Sequence, residues 1–204
     1  MKKGLLFAKF FPFHKGHLKF ILDALEYVDF LHIVVSNQHE SNDLSSFVNY
    51  NYCLEGFLIP ELRASLVAEE LSKIKGLDSR RFSVVGFNEK ELNIPAYPNG
   101  WSEWSSHVKR ITNDDFDCIF TNDVEYLQNL QDYFGRQIQV LDKDRECVSI
   151  SSSIIRKCPI VYFDYICDSF KPFYSKRILI TGIESVGKST LCQKLSLLLN
   201  AGLS

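Results

Sequence analysis

Residues 4–17 read G-L-L-F-A-K-F-F-P-F-H-K-G-H, and the elements on either side are arranged around this stretch. Residues 5–7 form an apolar run that is typical of a buried strand. Pro12 prevents its continuation as a central strand, and apolar residues at helical spacing follow His17. Two histidines, three residues apart, therefore stand where a first strand passes into a first helix. In an open α/β sheet ligands bind at this edge, and a helix N-terminus there favours anions. The alternative is an incidental pair of loop histidines.

Four further apolar runs have the length of strands, and segments with helical spacing alternate with them. The predicted strands cover residues 29–36, 82–87, 117–121 and 137–141, and the predicted helices cover residues 57–74, 101–111 and 124–134. This alternation predicts an α/β fold with a doubly wound, five-stranded parallel sheet. His32 is then a packed strand residue, and residues 37–51, rich in serine and asparagine, form a loop.

Composition narrows the classes of partner. The net charge of −2 argues against a broad surface for nucleic acid or membrane. No apolar run reaches transmembrane length, and no secretory cleavage pattern follows the N-terminal lysines, so we expect a cytoplasmic protein. The six cysteines form no C-x-x-C pair and predict neither a zinc site nor a disulfide framework.

Two other stretches carry chemistry. Residues 150–156, I-S-S-S-I-I-R, place serines at a helix N-terminus, where hydroxyl and N–H groups bind an anion that Arg156 can also reach. The alternative is an ordinary helix cap with a solvated arginine. Residues 95–104, P-A-Y-P-N-G-W-S-E-W, form a rigid loop that leads into a helix. We expect Trp104 to pack in the core and Trp101 to stack on a flat ring.

These motifs together resemble known families. H-x-G-H and residues 150–156 are similar to the two signatures of the nucleotidyltransferase superfamily, with Ser153 where threonine is usual in I-S-x-T-x-I-R. The proline–tryptophan loop and the D-x-D-R run of residues 142–145 resemble the bifunctional nicotinamide-nucleotide adenylyltransferase / ribosylnicotinamide kinase family, the NadR type. The resemblance covers essentially the whole chain and implies a Rossmann-like nucleotidyltransferase fold.

The resemblance also implies roles for individual residues. The implied catalytic groups are His14 and His17, which bind the ATP phosphates and stabilise the charge that develops at the α-phosphate, and Lys9, which reaches a phosphate of the mononucleotide or of ATP. The implied ligands of the ATP phosphates are Gly16, Ser151, Ser153 and Arg156. The implied mononucleotide pocket contains Trp101, Asn99 and, by position only, Arg63. The implied reaction joins nicotinamide mononucleotide to ATP and yields NAD and pyrophosphate, with Mg²⁺ bridging the ATP phosphates and no protein metal ligand.

Residues 182–189, G-I-E-S-V-G-K-S, match the P-loop pattern G-x-x-x-x-G-K-[ST] between a predicted strand at 177–181 and a predicted helix at 190–200. Its phosphate-binding residues are Gly182, Gly187, Lys188 and Ser189. In the resembled family this motif opens the kinase domain. Because the sequence ends at Ser204, we expect an incomplete P-loop unit without kinase activity, and pairing with another copy of the chain is compatible with it.

The predicted organisation is a nucleotidyltransferase domain at residues 1–157, a connecting segment at 158–176 and the start of a P-loop domain at 177–204. The aromatic residues of the connection indicate that it packs on the first domain. Three alternatives to the leading function stay open at this point. They are another nucleotidyltransferase of pantetheine-phosphate or cytidylyl type, a nucleotide-binding regulator without turnover, and an inactive fragment.

Overall fold

Five parallel strands form the central sheet in the computed structural model, which describes residues 1–37, 59–142, 148–175 and 178–199. The strands are β1 (Lys3–Ala8), β2 (Phe30–Ser36), β3 (Phe82–Phe87), β4 (Cys118–Thr121) and β5 (Gln137–Val140). Their order across the sheet is β3-β2-β1-β4-β5. The predicted doubly wound α/β fold is therefore confirmed. Successive strands are added toward one edge of the sheet from β1 to β3 and toward the other edge from β4 to β5. The order therefore reverses between β1 and β4, which is the point where ligands bind in such folds.

Six helices accompany the sheet within the described residues of the first unit. They are α1 (Lys15–Tyr27), α2 (Pro60–Ser72), α3 (Trp101–Ile111), α4 (Leu127–Phe134), α5 (Ser152–Lys157) and α6 (Lys171–Tyr174). Single residues account for where two of these helices begin or end. Pro60 occupies the first turn of α2, where its missing N–H costs nothing. Gly135 ends α4 in the left-handed conformation at φ 57°. Residues 38–51, the first two residues of the helix predicted at 57–74, and positions 143–145 of the D-x-D-R run lie outside the described residues.

The two faces of the sheet bury separate cores. Successive strand residues point to opposite faces, so Leu6 and Phe120 belong to one core and Leu5 and Ile119 to the other. The first core is closed by α1, α2 and α5, and the second is closed by α3 and α4. Trp104, 7% exposed, packs in the second core as expected.

The chain separates into two compact units, residues 1–174 and residues 175–204. Most of the segment predicted to connect the domains thus lies in the first unit. Phe170 and Tyr174 are 0% and 2% exposed in its core, so the expected packing of this segment is confirmed for them. The N–H of Cys167 also donates to the carbonyl of Phe13 at 3.2 Å, which ties the segment to the histidine stretch.

The described part of the second unit contains a loop and one helix, α7 (Lys188–Leu199). The strand predicted at 177–181 is wrong for residues 178–181, which are irregular. A strand needs a hydrogen-bonded neighbour, and the apolar pattern alone cannot supply one. Within the described ranges, no helix is both long and apolar enough to cross a membrane.

Candidate active site

A cleft of about 180 Å³ opens at the carboxyl edge of the sheet, where β1 and β4 end. Ala8 and Lys9 line it from the end of β1, and Thr121 and Asn122 line it from the end of β4. Because strand order reverses at this pair, the cleft lies at the switch point that the fold provides for a ligand. The prediction from sequence placed the ligand at this edge, and Lys9 does line the cleft.

Aromatic side chains form one end of the cleft. The ring of Trp101 lies 5.5 Å from the rings of both Trp104 and Tyr126, at steep interplanar angles. Phe7 packs edge-on against Trp104 at 4.8 Å, and Tyr97 lies 5.9 Å from Tyr126. All five residues line the cleft. Such a lining suits a flat heterocycle, since aromatic side chains gain energy from stacked and edge-to-face contacts.

The proline–tryptophan loop is held close to α3 by Gly100. A Cβ atom on this glycine would lie 2.0 Å from the carbonyl oxygen of Pro95 and 3.0 Å from Cγ2 of Ile94. No side chain fits at such a distance, so glycine is required for the loop to approach the helix. Pro95, Ile94 and Trp101 all line the cleft, and their positions therefore depend on this contact.

A buried carboxylate residue, Glu89, also lines the cleft and was missed from the sequence. It is 4% exposed and follows β3 by two residues. Its carbonyl accepts from the N–H of Ile94 at 2.9 Å, which ties it to the loop that leads to Trp101. The available signal was a charged residue just after a strand, at the ligand-binding edge. Nearby, Ser36 at the end of β2 accepts from Nε1 of Trp104 at 3.3 Å.

The histidine pair begins α1. His14 is the N-cap, 3% exposed, and its Nδ1 accepts from the N–H of Gly16 at 3.1 Å. Because Nδ1 accepts, a neutral His14 carries its proton on Nε2 and can donate from there. The rings of His14 and His17 stack at 3.8 Å, and Phe10 lies 5.0 Å from His17. Two imidazoles are thus held side by side at a helix N-terminus, where negative charge is favoured.

The serine-rich helix α5 lies against the same stretch. Ser151 is its N-cap, accepting from the N–H of Ile154 at 3.3 Å. Ser152 donates to the carbonyl of Pro12 at 3.0 Å. Arg156 is 6% exposed and donates to the carbonyl of Phe11 at 2.5 Å and to Oγ of Ser153 at 3.3 Å. The two predicted phosphate-binding motifs, 140 residues apart in sequence, are therefore brought together.

Two residues that the sequence assigned to the mononucleotide pocket lie outside the lining of this cleft. Asn99 is exposed and is not part of the cleft lining. Arg63 is 1% exposed on α2, outside the cleft lining, with its guanidinium 5.3 Å from the ring of Phe11 and bonded to Oδ1 of Asn37. Of these two neighbours, Phe11 belongs to the histidine stretch and Asn37 follows β2. Trp101, which the sequence assigned to the same pocket, lines the cleft.

The P-loop residues lie in the second unit. Nζ of Lys188, the first residue of α7, donates to the carbonyls of Gly182 and Ile183 at 2.9 and 2.5 Å. Gly187 precedes the helix with φ at 85°, a conformation that favours glycine. Ser189 follows on the first turn of α7. The loop thus curls around the ammonium group of its own lysine.

Comparison with known proteins was made by sequence and by structure. No protein-family model matches the chain. It is 30% identical over 200 residues to the trifunctional NAD biosynthesis/regulator protein NadR of Escherichia coli strain K12 and, equally, to that of Salmonella typhimurium strain LT2. These alignments include 97% of this chain and 46% of each relative. The chain thus spans about half the length of the curated relatives it matches.

Solved structures share the fold. A NadR protein in complex with NAD and AMP-PNP superposes with a TM-score of 0.72 at 26% identity, covering 98% of this chain and 54% of that one. A NadR protein in complex with NR superposes with a TM-score of 0.74 at 23% identity, covering 98% of this chain and 52% of that one. A bifunctional NMN adenylyltransferase/ADP ribose pyrophosphatase of Francisella tularensis, complexed with AMP and a manganese ion, superposes with a TM-score of 0.55. The two sequences are 14% identical, and the superposition covers 98% of this chain and 54% of that one. The chain is therefore a homologue of the NadR proteins along nearly all of its own length and along about half of theirs.

Proposed function

We propose that this chain is a nicotinamide mononucleotide adenylyltransferase in NAD biosynthesis. The observation that carries the proposal is the convergence of His14 and His17 with the start of α5, at the edge of the sheet that also carries the aromatic cleft. His14, His17 and the start of α5, which are not part of the cleft lining, offer donors for a phosphate chain, and the cleft offers aromatic surface for a ring. NAD biosynthesis in the curated relatives and adenylyl transfer in a structural neighbour support the same reading.

The proposed reaction needs no nucleophile from the protein. A phosphate oxygen of the mononucleotide attacks the α-phosphorus of ATP, a new P–O bond forms, and the bond to the β-phosphate oxygen breaks so that pyrophosphate leaves. Catalysis then depends on aligning two anions and stabilising the charge that develops between them. Nε2 of His14 donates to that charge together with His17, while Lys9 attracts the mononucleotide phosphate from the cleft.

We propose that a divalent cation is held at this site through the nucleotide. The described residues contain no group of three or more His, Cys, Asp or Glu side chains that could hold a metal ion. The phosphate end is instead built from imidazoles, hydroxyls and a guanidinium, which suit anions. Mg²⁺, bound by ATP phosphates and water, would supply further charge neutralisation. The residues named above would hold the phosphates and so orient that complex.

Glu89 supports nicotinamide rather than nicotinate as the ring. A nicotinate ring brings a second carboxyl group into a cleft that Glu89 already lines, and two ionised carboxylates brought together out of water would repel strongly. The neutral carboxamide avoids this repulsion, and its NH₂ group can donate to a carboxylate. We therefore expect the cleft to favour the neutral ring.

Steady-state kinetics with three acceptors test the proposal. We expect kcat/KM to be highest with nicotinamide mononucleotide, lower with nicotinate mononucleotide and negligible with pantetheine phosphate. Glu89→Gln should lower the preference for nicotinamide over nicotinate by about tenfold or more, equivalent to about 1.4 kcal/mol. Glu91→Gln, an exposed position on the same loop, is the matched control and should leave the preference unchanged. Turnover with pantetheine phosphate instead of either mononucleotide would reject the proposal.

A further inference from the structure

Two buried arginines converge on one phenylalanine. The guanidinium carbon of Arg63 lies 5.3 Å from the centroid of the Phe11 ring, and that of Arg156 lies 5.4 Å from the same centroid. The exposed fractions are 1% for Arg63, 6% for Arg156 and 3% for Phe11. The two arginines come from different helices, α2 and α5, and the ring is the contact that they share.

The physical effect of the ring is to fix two like charges near each other. Cations within about 6 Å of an aromatic centroid are attracted by its quadrupole, and the attraction grows when both groups are desolvated. Guanidinium groups, being planar and weakly hydrated, suit this contact better than ammonium groups. The backbone of Phe11 adds a second contact, since its carbonyl accepts from Nη1 of Arg156 at 2.5 Å.

The position of Phe11 connects this pair to the phosphate end of the site. Phe11 precedes His14 by three residues. The next residue, Pro12, accepts through its carbonyl from Ser152 at the start of α5. Oγ of Ser153 accepts from Nη2 of Arg156 at 3.3 Å. The ring, the arginines and the serines thus form one contact group beside the histidine stretch, with Arg63 on α2 and Arg156 in the last turn of α5.

We propose that Phe11 is a positioning residue that holds Arg63 and Arg156 as a pair for the phosphate chain of the nucleotide. The inference deepens the proposed function and rests on it. It assigns Arg63 to the phosphate end instead of the mononucleotide pocket that the sequence suggested. Phe11 acts through the two guanidinium groups, so its replacement should weaken ATP binding and leave mononucleotide binding unchanged.

The test replaces the Phe11 ring with an apolar side chain of similar size. Phe11→Leu, and Phe11→Met if the leucine variant does not melt cooperatively, should raise the KM for ATP by about tenfold, equivalent to about 1.4 kcal/mol. The KM for nicotinamide mononucleotide should stay within about twofold, well under the 1.4 kcal/mol of a tenfold change. Phe116→Leu is the matched control, because Phe116 is buried and has its own arginine, Arg136, at 5.8 Å on the opposite core. It should lower Tm without changing the KM for ATP.

A second measurement separates the quadrupole from simple packing. Phenylalanine analogues with increasing numbers of ring fluorines keep the shape of Phe11 but progressively weaken cation binding to the ring. Calorimetric binding of AMP-PNP should weaken step by step in this series at position 11 and stay constant in the same series at position 116. An unchanged affinity at position 11, or an equal loss of affinity for both substrates in Phe11→Leu, would overturn the inference. If the unmodified chain binds AMP-PNP but makes no NAD, the proposed function fails, whereas the fluorine series still decides the role of Phe11.

Discussion

Gly100→Ala should damage the mononucleotide site by crowding alone. The backbone of Gly100 has φ −86° and ψ 10°, which an alanine tolerates. The added Cβ atom, however, would stand 2.0 Å from the carbonyl oxygen of Pro95. An ordinary contact needs about 3.5 Å, so the loop or the start of α3 must move by more than an ångström. Overpacking of this kind costs about 1–3 kcal/mol of unfolding free energy.

The functional effect follows from what moves. Pro95 and Trp101 on either side of Gly100 line the aromatic end of the cleft. A displacement of about 1 Å in a substrate-positioning contact can cost about a hundredfold in rate. We therefore expect kcat/KM for nicotinamide mononucleotide to fall by about ten- to a hundredfold, with an unchanged KM for ATP.

Gly135→Ala is the control for this variant. Gly135 has φ 57°, and no atom of the described residues lies within 4 Å of the position its Cβ would take. Alanine there costs about 1–2 kcal/mol through backbone conformation only, at a site outside the cleft lining. Both variants are compared by thermal melting and by initial rates over a range of mononucleotide concentrations. A Gly100→Ala protein with normal mononucleotide kinetics would refute the assignment of this cleft to the mononucleotide.

Three further variants test other parts of the account. His17→Ala should lower kcat by about 10²–10³, by analogy with removal of an oxyanion-hole donor, while circular dichroism stays native; near-normal turnover would remove His17 from the mechanism. Trp101→Ala should raise the KM for the mononucleotide more than it lowers kcat, since stacking is ground-state binding, and an unchanged KM would move the ring pocket elsewhere. Burial lowers the pKa of His32 below its ordinary value of 6.5. The His32 imidazole is therefore protonated at a higher pH in the unfolded chain than in the folded one. The free energy of unfolding falls as pH drops below about 6.5. His32→Asn should make the unfolding free energy less dependent on pH between pH 7 and 5 in urea titrations, and an unchanged slope would contradict that origin.

Turn-forming residues at the ends of apolar segments explain why much of the fold could be predicted. The strand at Phe82–Phe87 and the helix at Trp101–Ile111 were predicted at both ends, because turn-forming and apolar residues alternate sharply there. The helix predicted from residue 124 begins at Leu127 instead. Asp123 caps a short 3-10 turn at Val124–Tyr126, accepting from the N–H of Glu125, and this turn precedes the helix.

Long-range packing explains what the sequence did not reveal. Arg63 reads as one more charged residue on a helix, and its position beside Phe11 follows from the packing of α2 against the histidine stretch. Glu89 reads as a loop residue, and its burial in the cleft depends on how the chain from β3 returns toward Trp101. Motifs predicted an anion site at His14 and Ser151, but no local pattern reports which loop side chains the tertiary fold will bury.

In the proposed reaction the adenylyl group of ATP passes to the phosphate of nicotinamide mononucleotide. The most direct measurement incubates the 204-residue chain with nicotinamide mononucleotide and ATP labelled in parallel reactions at the α- or the γ-phosphorus. We expect the α-label to appear in NAD and the γ-label in pyrophosphate. Transfer of γ-label to an organic acceptor, or the absence of α-label from NAD in a protein that melts cooperatively, would contradict it.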